Sequence, residues 1–386
     1  MSSHYLQFQK VAVDRVERVK AKLGIKDRKH HSSQASAASS HHDRSQLLAT
    51  LKTGKSTPTD TIERLHAKDL PLDTFLRKND KLCRPVVIQG LLDEWKALER
   101  WSLYNLVSKH SDDEFLVGRD QNQNSVTVKM KYFAYYLKEY RDPSPFQIAD
   151  DLSSGGKKRL REDYEVPSYF KDDIFKYARE SDLPPTRTFN LGPSLAGDRI
   201  QTNPLHCNLW SALVHGSRRW CLFPHHVPQD LLCNDHRAAR KDRRLETAVA
   251  WFERIYPKTQ SSRWPRYFKP LEILQAAGEV VFVPAGWWYV VINLEVCVVI
   301  SHHHCSASKL AQAWPKLTRA NKKLERAWFE ALRRRRPELA VLVPRKQKRR
   351  RSRDSCSDTK TADSSATSCS SDVDKDGSDE VASDNS

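Results

Sequence analysis

Two stretches constrain this chain more than any other part of it. The first runs from Arg199 to Pro224 and the second from Gly278 to Leu294. Each is built of brief β-branched and aromatic runs punctuated by Gly and Pro. Leu209-Trp210-Ser211-Ala212-Leu213-Val214-His215-Gly216 is followed by Arg218-Arg219-Trp220-Cys221-Leu222-Phe223-Pro224. Later comes Val280-Val281-Phe282-Val283-Pro284-Ala285-Gly286-Trp287-Trp288-Tyr289-Val290-Val291. Runs of this length between breakers read as strands joined by tight turns. Side chains two apart on a strand share a face. Gln201 and Asn203 are therefore expected to point together at a barrel mouth, just ahead of the break at Pro204.

These residues carry a resemblance. Arg199-Ile200-Gln201-Thr202-Asn203-Pro204-Leu205 is similar to the G-I-H-I-D-P-L segment of the phosphatidylserine-receptor family of JmjC proteins, the bifunctional arginine demethylases and lysyl hydroxylases. The likeness continues through Arg219-Trp220-Cys221-Leu222-Phe223-Pro224, Ile255-Tyr256-Pro257, Phe268 to Gln275 and Gly286-Trp287-Trp288. It spans roughly residues 65 to 343. It implies a mainly β fold with flanking helices: a double-stranded β-helix, the cupin-like jelly roll. Strand periodicity alone gives only a mixed, β-centred chain.

The family holds Fe(II) with two imidazoles and one carboxylate, leaving positions open for 2-oxoglutarate and O2. At those three positions this chain has Gln201, Asn203 and Tyr289. Two neutral amides and a phenol, which ionises only near pH ~10 when unperturbed, are poor Fe(II) ligands. The resemblance also places the cosubstrate pocket, at Gln147, Ser211, Arg218 and Ser301, where the family has Tyr, Asn, Lys and Thr. Arg218 keeps the charge that pairs with a carboxylate. The expectation is a pocket without catalytic residues, metal or cofactor. The alternative is a working Fe(II)/2-oxoglutarate oxygenase acting on protein Arg or Lys with substitute ligands.

Charge speaks about partners. Lys and Arg exceed Asp and Glu, for a net +17. Residues 354–386 hold nine acidic and two basic residues, so the preceding 353 carry +24. That balance favours RNA or another polyanion. Basic clusters fall at Lys157, Lys158 and Arg159 and at Lys348, Arg349, Arg350 and Arg351. Each reads as a nuclear-import signal, a nucleic-acid contact or a solvated run. Nuclear localisation is the expectation, with protein partners and a possible homodimer through the C-terminal helix. Eight cysteines without a C-x-x-C pair suggest reduced thiols. His302-His303-His304-Cys305 reads first as a strand end with polar overhang. The polar, basic first thirty residues and the Pro- and Gly-broken apolar stretch Val280–Ile292 give no expectation of a leader or a membrane span.

Four regions are expected. Residues 1–60 read as a basic, largely disordered arm, with an amphipathic helix from Gln7 to Leu23. Residues 61–310 hold the barrel and its N-terminal helical and strand region. Within it, helices are expected over Asp60–Leu70, Lys129–Tyr140 and Val166–Arg179. Residues 311–343 read as a helical cover in which Leu317, Ala320, Leu324, Ala327, Trp328, Ala331 and Leu332 share one face of a helix of about twenty residues. Residues 344–386 read as a disordered tail, basic then acidic.

Overall fold

The computed structural model describes residues 3–25, 44–52, 62–233, 247–319 and 321–344. Its centre is a pair of facing sheets. In chain order the strands are β1 (Arg64–His66), β2 (Val86–Gln89), β3 (Glu114–Arg119), β4 (Ser125–Lys129), β5 (Ile148–Asp150), β6 (Arg187–Gly192), β7 (Gly197–Thr202), β8 (Asn208–His215), β9 (Ser217–Phe223), β10 (Leu271–Ala276), β11 (Val280–Val283), β12 (Trp288–Asn293) and β13 (Cys297–His304). One sheet has the order β1-β2-β11-β8-β13-β6-β5 and the other β10-β9-β12-β7, with β3 and β4 forming a separate hairpin. Apart from β1 on β2, the pairings in both large sheets are antiparallel. This is the jelly roll that the resemblance implied, mainly β with flanking helices.

The apolar side chains sort by strand face. Trp220, Leu222, Ile273, Val281, Val283, Tyr289 and Val291 meet between the sheets. Alternate residues of the same strands, Cys221, Phe223, Val290 and Ile292, face outward and are covered by Trp251 and Phe252 of a helix near residue 250. The outer face of the larger sheet supplies Trp210, Phe282 and Ile300 to the largest cluster. There Phe170 stacks on Trp210 with centroids 5.3 Å apart.

The main helices are α1 (Ser3–Leu23), α2 (Leu103–His110), α3 (Met130–Glu139), α4 (Ala248–Arg254), α5 (Leu310–Thr318) and α6 (Lys322–Arg335). The N-terminal segment is not an arm over its described residues. Helix α1 buries Ala12, Val16, Val19 and Lys20 while Val11 and Val13 stay exposed. Lys20 Nζ reaches Asp142 at 3.0 Å, and the Tyr136 hydroxyl donates to the same carboxylate. A buried ammonium with such a partner fixes the helix on the barrel, which composition alone does not reveal. Residues 44–52 are helical too, with Leu51 buried and Arg44 donating to the Asp142 and Ser194 carbonyls, while residues 1–2, 26–43 and 53–61 lie outside the described residues.

Helix α3 matches expectation, with Met130, Phe133 and Tyr136 buried. Three other expectations need correction. Over the described part of Asp60–Leu70 there is a short strand, β1, and a single 3-10 turn, because Arg64, Leu65 and His66 add to the edge of β2. Residues 166–179 form two separate 3-10 turns, Ser168–Phe170 and Ile174–Tyr177. Their apolar residues serve different clusters: Phe170 packs on the barrel, Ile174 and Phe175 on the C-terminal helices. Asp173 caps the second turn, its carboxylate accepting from the Phe175 amide. The C-terminal cover is not one helix but α5, α6 and a short helix at Pro337–Ala340: Asn321 caps α6 by accepting from the Leu324 amide. Its apolar face is filled within the chain, where Trp328 stacks on Trp314 at 4.7 Å. The tail from residue 345 lies outside the described residues.

Candidate functional site in the barrel mouth

The strand register builds the site. Tyr289 on β12 lies directly opposite Gln201 on β7. Two residues further along β12, Val291 is opposite Asp198, so β7 spends three residues where β12 spends two. This bulge turns Asp198 onto the same face as Gln201; simple alternation would have turned Arg199 there instead. Gly197 makes the close approach possible, because a Cβ there would lie 2.1 Å from the Val291 carbonyl oxygen. Gln201 and Asp198 also line an open cleft bounded by Leu23, Arg119, Gln123 and Phe146.

The three positions that resemble the iron ligands lie near one another but do not form one hydrogen-bonded set. Strand β7 ends at Thr202, one residue before Asn203. Its amide serves the following turn. Oδ1 accepts from the Leu205 amide at 2.9 Å, and Nδ2 donates to the Asn208 carbonyl at 3.2 Å with Cys207 Sγ at 3.5 Å. Asn203 is 3% exposed, so this is a structural amide with both ends in use. Tyr289 is buried against Trp220, ring centroids 6.0 Å apart. Burial holds its phenol well above the usual range; the Asp198 carboxylate adds to that and Arg218 opposes it. Among the described residues, no group of three or more His, Cys, Asp and Glu is arranged to hold a metal ion.

The four positions resembling the cosubstrate pocket fall into two groups, the two serines and a pair that shares Asp198. Ser211 and Ser301 face across β8 and β13 with hydroxyls 2.9 Å apart. Gln147 Nε2 donates to Asp198 Oδ1 at 3.2 Å. Arg218 is 1% exposed; its Nε donates to Asn293 Oδ1 at 3.0 Å, and its Nη2 lies 3.8 Å from Asp198 Oδ2. The guanidinium also lies over Trp220, 5.2 Å from the ring centroid. Arg218 Nη2 and Gln147 Oε1 are both buried and, among the described residues, take no hydrogen-bond partner. Partial burial pushes the Asp198 carboxyl up, and Arg218 and the Gln147 amide act against that.

Sequence reasoning did not find Asp198 or Asn293. Asn293 had a readable signal, since it lies four residues past Tyr289 on the same strand and so on the same face. Asp198 had none without the bulge.

The basic residues separate. Lys157 is not a surface residue: its Nζ lies 2.6 Å from the buried Asp150 carboxylate and donates to the Glu114 carbonyl. Lys158 and Arg159 are exposed on the turn Gly156–Glu162. Lys348, Arg349, Arg350 and Arg351 lie outside the described residues. The histidine run is not an overhang. His302 stacks on Trp210 at 4.3 Å with Nε2 2.9 Å from the Tyr164 hydroxyl, and burial drives its imidazole well below the usual range. The six described cysteines are free thiols. No helix among the described residues is long and apolar enough to cross a membrane.

Fold and interior together define a cupin-type barrel of the JmjC class. A family model described as JmjC domain, hydroxylase, matches residues 188–304. The chain is 37% identical over 302 residues to the bifunctional arginine demethylase and lysyl-hydroxylase of Caenorhabditis briggsae, covering 78% of this chain and 73% of the relative. It is equally identical over 286 residues to the protein of that name from Caenorhabditis elegans, covering 74% and 71%. An arginine-specific demethylase of Arabidopsis thaliana is 31% identical over 264 residues, covering 68% and 50%. The chain belongs to the JmjC-domain family of bifunctional arginine demethylases and lysyl hydroxylases.

Proposed function

We propose that this chain uses its JmjC barrel as a nuclear binding module for RNA and protein, and that it does not work as an oxygenase. The observation that carries the reading is Asn203. Its amide occupies the position the family gives to a carboxylate, and both of its ends are committed to the turn that follows. An amide so placed brings no negative charge to a metal, and its oxygen already gives one of its two lone pairs to the Leu205 amide. The other two positions add a second neutral amide, Gln201, and a phenol that burial keeps protonated. This donor set does not fit Fe(II), which takes imidazole and carboxylate in JmjC-type oxygenase sites. Without the metal, nothing orients a 2-oxoacid for reaction with O2.

The binding half of the reading rests on charge. Residues 1–353 carry +24, and such a surface attracts phosphate backbones with a strong dependence on salt. Lys158 and Arg159 are on that surface, and Lys157 is not.

The relatives, an arginine demethylase and lysyl-hydroxylase and an arginine-specific demethylase, favour a second reading, an Fe(II)- and 2-oxoglutarate-dependent oxygenase on protein Arg or Lys. One assay separates the two. Purified full-length protein is incubated with Fe(II), ascorbate and 2-oxoglutarate, and succinate is measured with and without histone-tail or Lys-rich peptides. The proposal expects succinate at the no-enzyme level. Iron-dependent succinate abolished by Asn203→Ala would establish the oxygenase. For the binding half, a fluorescent single-stranded RNA should bind at low salt and be released as salt rises; no binding at low salt would refute it.

A further inference from the structure

We propose that Asp198 is a built-in anion, held where a free carboxylate would otherwise pair with Arg218, so that the barrel is shut to small dicarboxylates by its own side chain. The inference rests on the reading of the barrel as a non-oxygenase and says what became of the cosubstrate pocket.

A guanidinium that is 1% exposed needs a counter-charge. In a pocket built for a ligand, the ligand supplies it. Here the supplier is Asp198, which the β7 bulge turns inward and Gln147 Nε2 holds at 3.2 Å. Residues from three strands or their flanks thus form one clasp: Gln147 before β5, Asp198 on β7 and Arg218 on β9. Asn293 finishes it by accepting from Arg218 Nε. The residue at the Tyr position of the family has become an amide that donates to the carboxylate. A second carboxylate arriving from the cleft would meet like charge within a few ångströms, which disfavours it.

The clasp is slack, and that points to a site being occupied and not to a scaffold pair. The Arg218–Asp198 contact is 3.8 Å, longer than a hydrogen bond, and about a third of the Asp198 side chain is exposed. Among the described residues, Arg218 Nη2 and Gln147 Oε1 have no hydrogen-bond partner. A planar guanidinium with a free edge is well suited to a ligand carboxylate once the resident one is removed.

The test is calorimetric titration of full-length protein with 2-oxoglutarate and, separately, glutarate, in buffer containing EDTA. Wild type should give no resolvable heat. Asp198→Ala should bind both acids at least about tenfold more tightly, a difference of ~1.4 kcal/mol. Asp198→Ala combined with Arg218→Met should lose the gain. Asp198→Asn, of equal volume and no charge, should show a smaller gain and covers the case in which the alanine variant does not fold. Equal binding by wild type and the folded variants would overturn the proposal, as would its absence from all of them. Repeating wild type with Fe(II) in place of EDTA keeps the two readings apart. Iron-dependent 2-oxoglutarate binding would contradict the non-oxygenase reading, whereas failure of the metal-free variants contradicts the clasp alone.

Discussion

Arg218 and Arg219 are neighbours on β9, equally buried at 1% exposed, and they live in different chemistry. Strand alternation sends Arg219 outward, where it donates to the Glu272 carboxylate, the Tyr256 hydroxyl and the Leu51 carbonyl. Tyr256 and Gln260 hydrogen-bond the same carboxylate, so the ion pair is closed on several sides. Arg218 points inward, with one good bond to Asn293 and a loose partner in Asp198. The outer pair ties β9 to β10 and to the segment after α4. The inner pair ties down little. The contrast separates a charge closed into the architecture from one that keeps an unsatisfied edge.

The contrast breaks first on stability. Arg219→Met would remove the ion pair to Glu272, which is 11% exposed at its side chain, together with the Arg219 bonds to Tyr256 and Leu51. A loss of about 3–5 kcal/mol is expected, the usual cost of breaking a buried ion pair by removing one partner. Urea unfolding of the full chain measures it, and a loss under ~1 kcal/mol would erase the distinction. Lys157→Met should resemble it, at about 3 kcal/mol, because Asp150 is 2% exposed and keeps no other cation within salt-bridge range among the described residues. By contrast, Lys158→Ala with Arg159→Ala should stay within about 0.5 kcal/mol of wild type while weakening RNA binding. Unchanged RNA affinity would remove this turn from the proposed surface.

Asp198→Asn sharpens the comparison from the other side. The pair it removes is long and partly exposed, so the expected cost is no more than about 1 kcal/mol. A loss as large as that of Arg219→Met would make the inner pair architecture as well. Ser211→Ala is smaller still. It removes a hydroxyl pair to Ser301, and about 1 kcal/mol or less is expected by thermal unfolding.

Most of the barrel was legible because strand signals are local. β-branched runs between Gly and Pro mark β8, β9, β11 and β12, and their order within the chain carries the family likeness. What was not legible depends on partners far along the chain. Lys157 looks like a solvated cation until Asp150 of β5 is placed beside it. Val166–Arg179 has helical spacing, yet Phe170 and Phe175 are claimed by different clusters, and tertiary packing overrides the local pattern. The N-terminal helix reads as an arm until Lys20 meets Asp142. In the site, Gln201 and Tyr289 were readable from register. The bonds of Asn203 to the turn at Leu205 and Asn208 were not, and Asp198 was hidden by a bulge that flips the alternation.

The most direct test of the central claim is anaerobic titration of Fe(II) and 2-oxoglutarate into the full chain, followed by the visible charge-transfer absorption of the ternary complex. Wild type should develop none. The triple variant Gln201→His, Asn203→Asp and Tyr289→His should develop it, because it returns two imidazoles and a carboxylate to a barrel whose strands are in place. Adding Asp198→Ala to that variant should strengthen the signal by clearing the anion position beside Arg218. Charge-transfer absorption from the wild-type chain at stoichiometric iron would contradict the account and restore the oxygenase reading.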